Sequence, residues 1–203
     1  MIVKICGITT IEDARVAADA GADWVGLNFW PRSPRYVPLD TARVIIEALD
    51  GRVRTVGIFV NATLETIEGA MADARLDFAQ LHGEEPPELV HALGDRAIKA
   101  VRLRGATVIG RYAPALLLLD GDAPNVGGGG VPLDWMMAAD LAARQRLILA
   151  GGLTPGNVAE AIRVVNPAGV DVASGVERAP GRKDVEKIRA FVATARAAAQ
   201  EPR

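Results

Sequence analysis

Eight short apolar runs, each followed by a stretch rich in Ala, Glu and Arg, divide this chain, and that alternation limits the folds open to it. The runs are Ile2–Ile5, Trp24–Asn28, Val53–Phe59, Phe78–Leu81, Ala97–Val101, Leu116–Leu119, Leu147–Ala150 and Val170–Val172. Several are apolar at nearly every position, the pattern of strands covered on both faces of a parallel sheet. The segments between them carry helix signals. Thr9 and Thr10 offer capping hydroxyls with Glu12 in the first turn, and Thr154-Pro155 pairs such a hydroxyl with a proline suited to the first helical position. Gly21, Gly51 and Gly94 fall where a helix should stop. The fifth unit is the weakest, since Arg102 to Arg111 predicts only a short or irregular helix. Ala197 to Arg203 reads as a fraying helix end and tail.

The chain's 203 residues give about 25 per unit, at the short end for a closed (β/α)8 TIM barrel. An open doubly wound sheet is the competing architecture. Even spacing, and no nucleotide fingerprint after the first strand, favour the barrel. No interdomain linker is visible, so residues 1–203 are expected to form a single barrel domain. Composition narrows the function. Charged residues make up 24%, with 23 basic against 25 acidic, which argues against disorder and against a nucleic-acid partner gathered by charge. One cysteine and two histidines leave no intramolecular disulfide and no Cys- or His-built metal centre, so no metal is expected. The apolar run around Ala115 to Leu119 is far short of the roughly 20 residues that span a bilayer, and the N-terminus lacks a signal-peptide pattern. A cytoplasmic protein with no membrane partner is the expectation.

In such a barrel the working face is the C-terminal end of the strands, and that rule selects a few polar residues. Cys6 closes the first strand beside Gly7. It is either a buried small hydrophobe or a reactive thiol. If Cys6 points inward, period two turns Lys4 inward too, where it either favours the thiolate or forms a buried ion pair that serves packing only. Asp120 follows four leucines, Leu116 to Leu119, and stands at the rim either as a working carboxyl or bonded to local backbone. Arg35, in a loop stiffened by Pro31 and Pro34, can grip a planar carboxylate through two parallel bonds, with a solvated arginine as the alternative. Phe29 and Trp30 either pack beside an aromatic ligand or belong to the core. His82 ends the fourth strand, either lining the pocket or serving structure. Asp171, inside the eighth strand, needs a hydroxyl or a cation. Gly151-Gly152 and Ser174-Gly175, after the seventh and eighth strands, suit a phosphate dianion met by backbone N–H groups. Gly127–Gly130 reads as a loop able to approach a ligand closely.

Taken together, these residues resemble phosphoribosylanthranilate isomerase, a ribulose-phosphate-binding barrel of tryptophan biosynthesis. Eight segments carry the likeness in order: Lys4-Ile5-Cys6-Gly7, Ser33-Pro34-Arg35, Gln80-Leu81-His82-Gly83, Leu118-Leu119-Asp120, Leu133-Asp134-Trp135, Ala150-Gly151-Gly152-Leu153, Asp171 through Glu177, and Pro180 through Asp184. Gly121 and Gly129 depart from the family pattern, which has serine or threonine there. The resemblance implies an Amadori rearrangement of N-(5′-phosphoribosyl)anthranilate by general acid–base catalysis, with Asp120 as acid and Cys6 as base. It implies Arg35, His82 and Asp171 on the substrate and Gly151, Gly152, Ser174 and Gly175 on its phosphate. No cofactor is expected, because the substrate nitrogen is the electron sink.

An unperturbed aspartic acid is ionised at neutral pH and a thiol mostly protonated, so the site has to reverse at least one assignment. Lys4 is expected to help Cys6 by favouring its thiolate. Two rivals stand beside this reading. One is a dual-substrate or histidine-pathway sugar isomerase, which would use two aspartates where this chain has Cys6 and Asp120. The other is a non-catalytic phosphosugar-binding barrel, which needs neither residue. The expected partner is the phosphosugar–anthranilate substrate alone, for a monomer or a homodimer.

Overall fold

The computed structural model of the protein describes residues 1–102, 110–113, 115–121 and 134–201. Eight parallel strands close into a barrel in chain order: β1 Ile2–Cys6, β2 Trp24–Asn28, β3 Arg54–Phe59, β4 Phe78–Leu81, β5 Ala97–Arg102, β6 Leu116–Asp120, β7 Leu147–Leu149 and β8 Gly169–Val172. The helices between them are α1 Ile11–Asp19, α2 Leu39–Leu49, α3 Leu64–Ala74, α4 Pro87–Leu93, α5 Trp135–Ala142 and α6 Val158–Val165, and α7 Val185–Gln200 follows the last strand. Closure occurs where β1 pairs with β8, with Lys4 directly opposite Asp171. The eightfold reading of the sequence therefore holds, each strand lying within a residue or two of its apolar run. Most of the irregular fifth unit, residues 103–109, lies outside the described residues, as does Gly127–Gly130.

Side-chain alternation sorts the core into two layers. Val56, Ile98, Leu118 and Ile148 fill the barrel interior with Trp24, which stacks on Phe78 at 4.7 Å between ring centroids. Their neighbours in sequence, such as Val25, Leu117, Leu119 and Leu149, face outward and join helix residues including Ala14, Ile45, Ile67 and Ile162 in the larger outer cluster. Among the described residues, no helix is long and apolar enough to cross a membrane.

Helix ends follow local chemistry. Thr10 caps α1, its hydroxyl accepting from Asp13 N at 3.1 Å, and Asp184 caps α7 by accepting from Glu186 N and Lys187 N. Gly21 and Gly51 take left-handed φ values of 90° and 70° after α1 and α2. Asp50, Arg75 and Asn166 turn left-handed as well, which the search for glycine stops passed over.

Three expectations are corrected. Thr154-Pro155 does not open a helix; α6 begins at Val158, because the Asn157 carboxamide ties residues 152–157 into a turn. It accepts from Thr154 N at 2.7 Å and donates to Gly152 O at 3.0 Å. The last helix does not fray at Ala197, while Pro202 and Arg203 of the expected tail lie outside the described residues. Helix α7 runs to Gln200 with Ala195 and Ala198 buried, and Glu201 takes two bonds from Arg163. Lastly, a short antiparallel hairpin, β9 Glu177–Ala179 with β10 Arg182–Lys183, follows β8 where no strand was expected.

The turns after β7 and β8 interlock. A side chain at Gly175 would overlap the carbonyl oxygen of Leu153 and meet Thr154 Cα at 3.2 Å. Backbone cannot swing aside as a flexible side chain can. Gly175→Ala should therefore cost about 2 kcal/mol of stability by overpacking, read as a lowered denaturant midpoint at unchanged slope. An unchanged midpoint would show that the two turns are free to separate.

Candidate active site

One cavity at the C-terminal ends of the strands collects Cys6, Arg35, His82, Asp120, Gly151, Gly152, Asp171 and Ser174. Of the residues expected to act on the substrate, its phosphate or its protons, Gly175 alone lies outside this lining, packed instead against Leu153. Trp30 lines the cavity, while Phe29 stacks on Phe59 at 5.4 Å and belongs to the core.

Cys6 faces the cavity from β1, half-buried. Lys4 lies one layer below, fully buried, its Nζ donating to Asp171 Oδ1 at 2.8 Å. Burial works against the Lys4 charge, but Asp171 and Cys6 outweigh it and leave the ammonium more firmly protonated than usual. Gly26 on β2 makes room for this arrangement. A side chain there would stand 2.9 Å from Cys6 Sγ and 3.1 Å from Lys4 Nζ.

The pull of Lys4 on the Cys6 thiol is present but outweighed. Closed surroundings push the thiol above its ordinary 9.0, and although Lys4 and Lys183 pull it down, Asp171 adds to the rise. Lys4 acts in the expected direction but spends most of its field on the carboxylate bonded to it, so the buried ion pair and the influence on the thiol are both present.

Arg35 is corrected in its partner. Its Nε and Nη2 donate to the two carboxylate oxygens of Glu177 at 2.8 and 2.7 Å, so the paired grip falls on the protein itself. Arg35 packs over Gly7, whose φ of 74° and missing side chain leave space for the arginine stem beside Cys6. Glu177 also accepts from Lys183 Nζ at 3.0 Å, and Lys183 reaches Ala173 O at 2.9 Å. Burial opposes ionisation of Glu177, yet Arg35 and Lys183 win and hold its carboxyl below the usual range. Lys183 is shifted down, because its own burial exceeds what Glu177 returns. Among the described residues, nothing accepts the remaining guanidinium hydrogens of Arg35, which lines the cavity.

Asp120, at the end of β6, accepts from His82 Nε2 at 3.2 Å and from Gly121 N at 2.9 Å. Local backbone bonding and a contact within the cavity thus coexist. The His82 tautomer follows from its other neighbour. Gln80 Nε2 lies 3.0 Å from Nδ1; with the carboxamide in this orientation Nδ1 accepts and the ring proton falls on Nε2, directed at Asp120. Gly151 and Gly152 turn left-handed, at φ 80° and 71°, after β7. A side chain at Gly151 would overlap Gly121 N and come within 2.9 Å of Asp120 Oδ1. The turn suited to phosphate therefore rests directly against the carboxyl.

The model of the N-(5′-phosphoribosyl)anthranilate isomerase family matches residues 3–194. This chain belongs to that family. It is 48% identical over 202 residues to the Myxococcus xanthus N-(5′-phosphoribosyl)anthranilate isomerase, covering 96% of this chain and 95% of the relative. The Geobacter metallireducens isomerase is also 48% identical, over 96% of this chain and 98% of its own length. The solved structure of the Thermotoga maritima isomerase superposes with a TM-score of 0.92 at 43% identity, over 97% of this chain and all of the other. A further solved isomerase, in complex with reduced 1-(o-carboxyphenylamino)-1-deoxyribulose 5-phosphate, gives 0.88 at 41% identity, over 97% of this chain and 100% of that one.

Within this isomerase-family barrel, sequence reasoning missed the partners rather than the cavity residues. Glu177, itself bonded by Lys183, holds Arg35, and Gln80 orients His82. Only Gln80 carried a signal, since period two along β4 places it on the same face as His82. Replacing Lys4 with Met removes the nearest cation from Cys6 and leaves burial unopposed by it. The pH midpoint of Cys6 alkylation, unambiguous in a chain with one cysteine, should move upward in Lys4→Met. An unchanged or lower midpoint contradicts the assigned role of Lys4.

Proposed function

We propose that this chain catalyses the Amadori rearrangement of N-(5′-phosphoribosyl)anthranilate to 1-(2-carboxyphenylamino)-1-deoxyribulose 5-phosphate, as a cytoplasmic enzyme of tryptophan biosynthesis. The observation that carries the proposal is the meeting of Cys6 and Asp120 in one cavity. They come from β1 and β6, three strands apart around the ring, beside the left-handed glycine turn of Gly151 and Gly152.

The steps balance within the substrate. Asp120 gives a proton to the furanose ring oxygen, the C1′–O bond breaks, and the nitrogen lone pair forms a protonated Schiff base. The carboxylate left behind keeps two donors, His82 Nε2 on one oxygen and Gly121 N on the other. The Cys6 thiolate then takes the C2′ proton, the C–H electrons flow to nitrogen, and the enolamine tautomerises to the ketone. Neither metal nor organic cofactor enters, because the iminium nitrogen accepts the electron pair. The Gly151-Gly152 turn and Ser174 take the phosphate, while Arg35, His82 and Asp171 face the sugar and its aromatic substituent. All these residues belong to one chain, so a monomer is sufficient and a homodimer is compatible. A two-aspartate isomerase is disfavoured by Cys6 in the first-strand position.

Turnover follows from loss of anthranilate fluorescence as the ring opens. Cys6→Ala and Asp120→Asn should each lower kcat by roughly a thousandfold, with KM within a few-fold of the parent. Near-normal turnover in either variant would remove that residue from the mechanism. No turnover by the parent protein would leave the non-catalytic phosphosugar-binding barrel.

A further inference from the structure

Lys99 is a buried cation that these steps do not use. It lies in β5 between Ile98 and Ala100, both in the barrel interior, so its own side chain leaves on the helix side, level with Leu81 and Leu117. That layer is otherwise apolar, and a lone ammonium there is costly. Lys99 is only 2% exposed, and its Nζ meets three acceptors: Leu81 O at 3.1 Å, Gly83 O at 2.6 Å and Glu85 Oε2 at 2.7 Å. The two carbonyls stand on either side of His82. Glu85, equally buried, accepts from Gly83 N with both oxygens and from Asn61 N at 2.9 Å. Asn61 Oδ1 in turn takes Glu84 N at 2.7 Å, and His82 N is held by Phe59 O at 2.8 Å. The backbone on both sides of His82 is tied through one buried ion pair, and the His82 ring carries that order to Asp120.

We infer that the Lys99–Glu85 pair is a positioning device for the proton donor, fixing the His82 main chain so that Nε2 meets the Asp120 carboxyl. This rests on the reading of Asp120 as the acid. A packing role alone would be met by an apolar residue, as it is at Leu81 and Leu117. Among the described residues, neither Lys99 nor Glu85 bonds to Arg35, Ser174 or the Gly151-Gly152 turn. The device therefore reaches the cavity through His82, so its effect falls mainly on proton transfer and only secondarily on substrate affinity.

Lys99→Met and Glu85→Gln test this, assayed at a temperature where circular dichroism shows both folded. Each should lower kcat about 10- to 100-fold, the scale of a displacement near 1 Å, while KM stays within about threefold. The ¹⁵N imidazole signals of His82 should move and those of His91, the other histidine, should not. The two substitutions combined should lose little more than either alone. Folded variants with parental kcat and an unmoved His82 signal would overturn the inference and leave the pair purely structural. So would a loss carried entirely by KM. If Lys99→Met does not fold, Glu85→Gln decides, since its carboxamide still accepts from Gly83 N and Asn61 N. A near-normal Asp120→Asn enzyme would instead overturn the acid assignment, and the His82 signals would still judge the clamp.

Discussion

The barrel closes where β1 meets β8, and at that seam a lysine and an aspartate face each other inside the ring. Lys4 and Asp171 are register partners, 167 residues apart in sequence and 2.8 Å apart in space. Neither charge is tolerable there alone, because removing one partner strands the other in a medium that solvates it poorly. One layer of the lumen and the electrostatics beneath the thiol thus depend on a single ion pair at the closing seam. The space it needs comes from Gly26 on the neighbouring strand.

A second compensated group lies above it. Arg35, Glu177 and Lys183 form a row of alternating charge reaching from the loop after β2 to the hairpin after β8. Thr9 adds to the same closure by donating its hydroxyl to Gly181 O at 2.7 Å. Cys6 sits between these two groups. Lys4 and Lys183 favour its thiolate and Asp171 opposes it, but burial outweighs the cations and sets the direction in which its acidity moves. A thiol with a raised pKa is a rarer thiolate at neutral pH but a stronger base once formed, which suits removal of a weakly acidic C–H proton.

Much of this was legible in the sequence because it depends on short-range order. Period two turns Lys4 inward with Cys6, and the ends of the apolar runs place His82 just beyond β4 and Asp120 at the end of β6. What escaped depends on pairings that only closure creates. Asp171 asked for a hydroxyl or a cation, but that the cation is Lys4 is a property of the register between the first and last strands. Arg35 was legible as a carboxylate clamp, whereas its carboxylate, Glu177, lies 142 residues away in a hairpin too short to show a period. Lys99 lies among apolar neighbours in β5, and two of its three acceptors are carbonyls, which no side-chain pattern reveals. Thr154-Pro155 carried the local signature of a helix start, and the Asn157 carboxamide overrode it.

Direct titration of the one thiol tests this account most sharply. Thiolate absorbance of the parent protein should rise with a midpoint above 9.0, and kcat/KM should climb with pH along the same curve, since the base form is the one that works. A midpoint at or below that of a free cysteine, or activity that ignores the titration of Cys6, would contradict it.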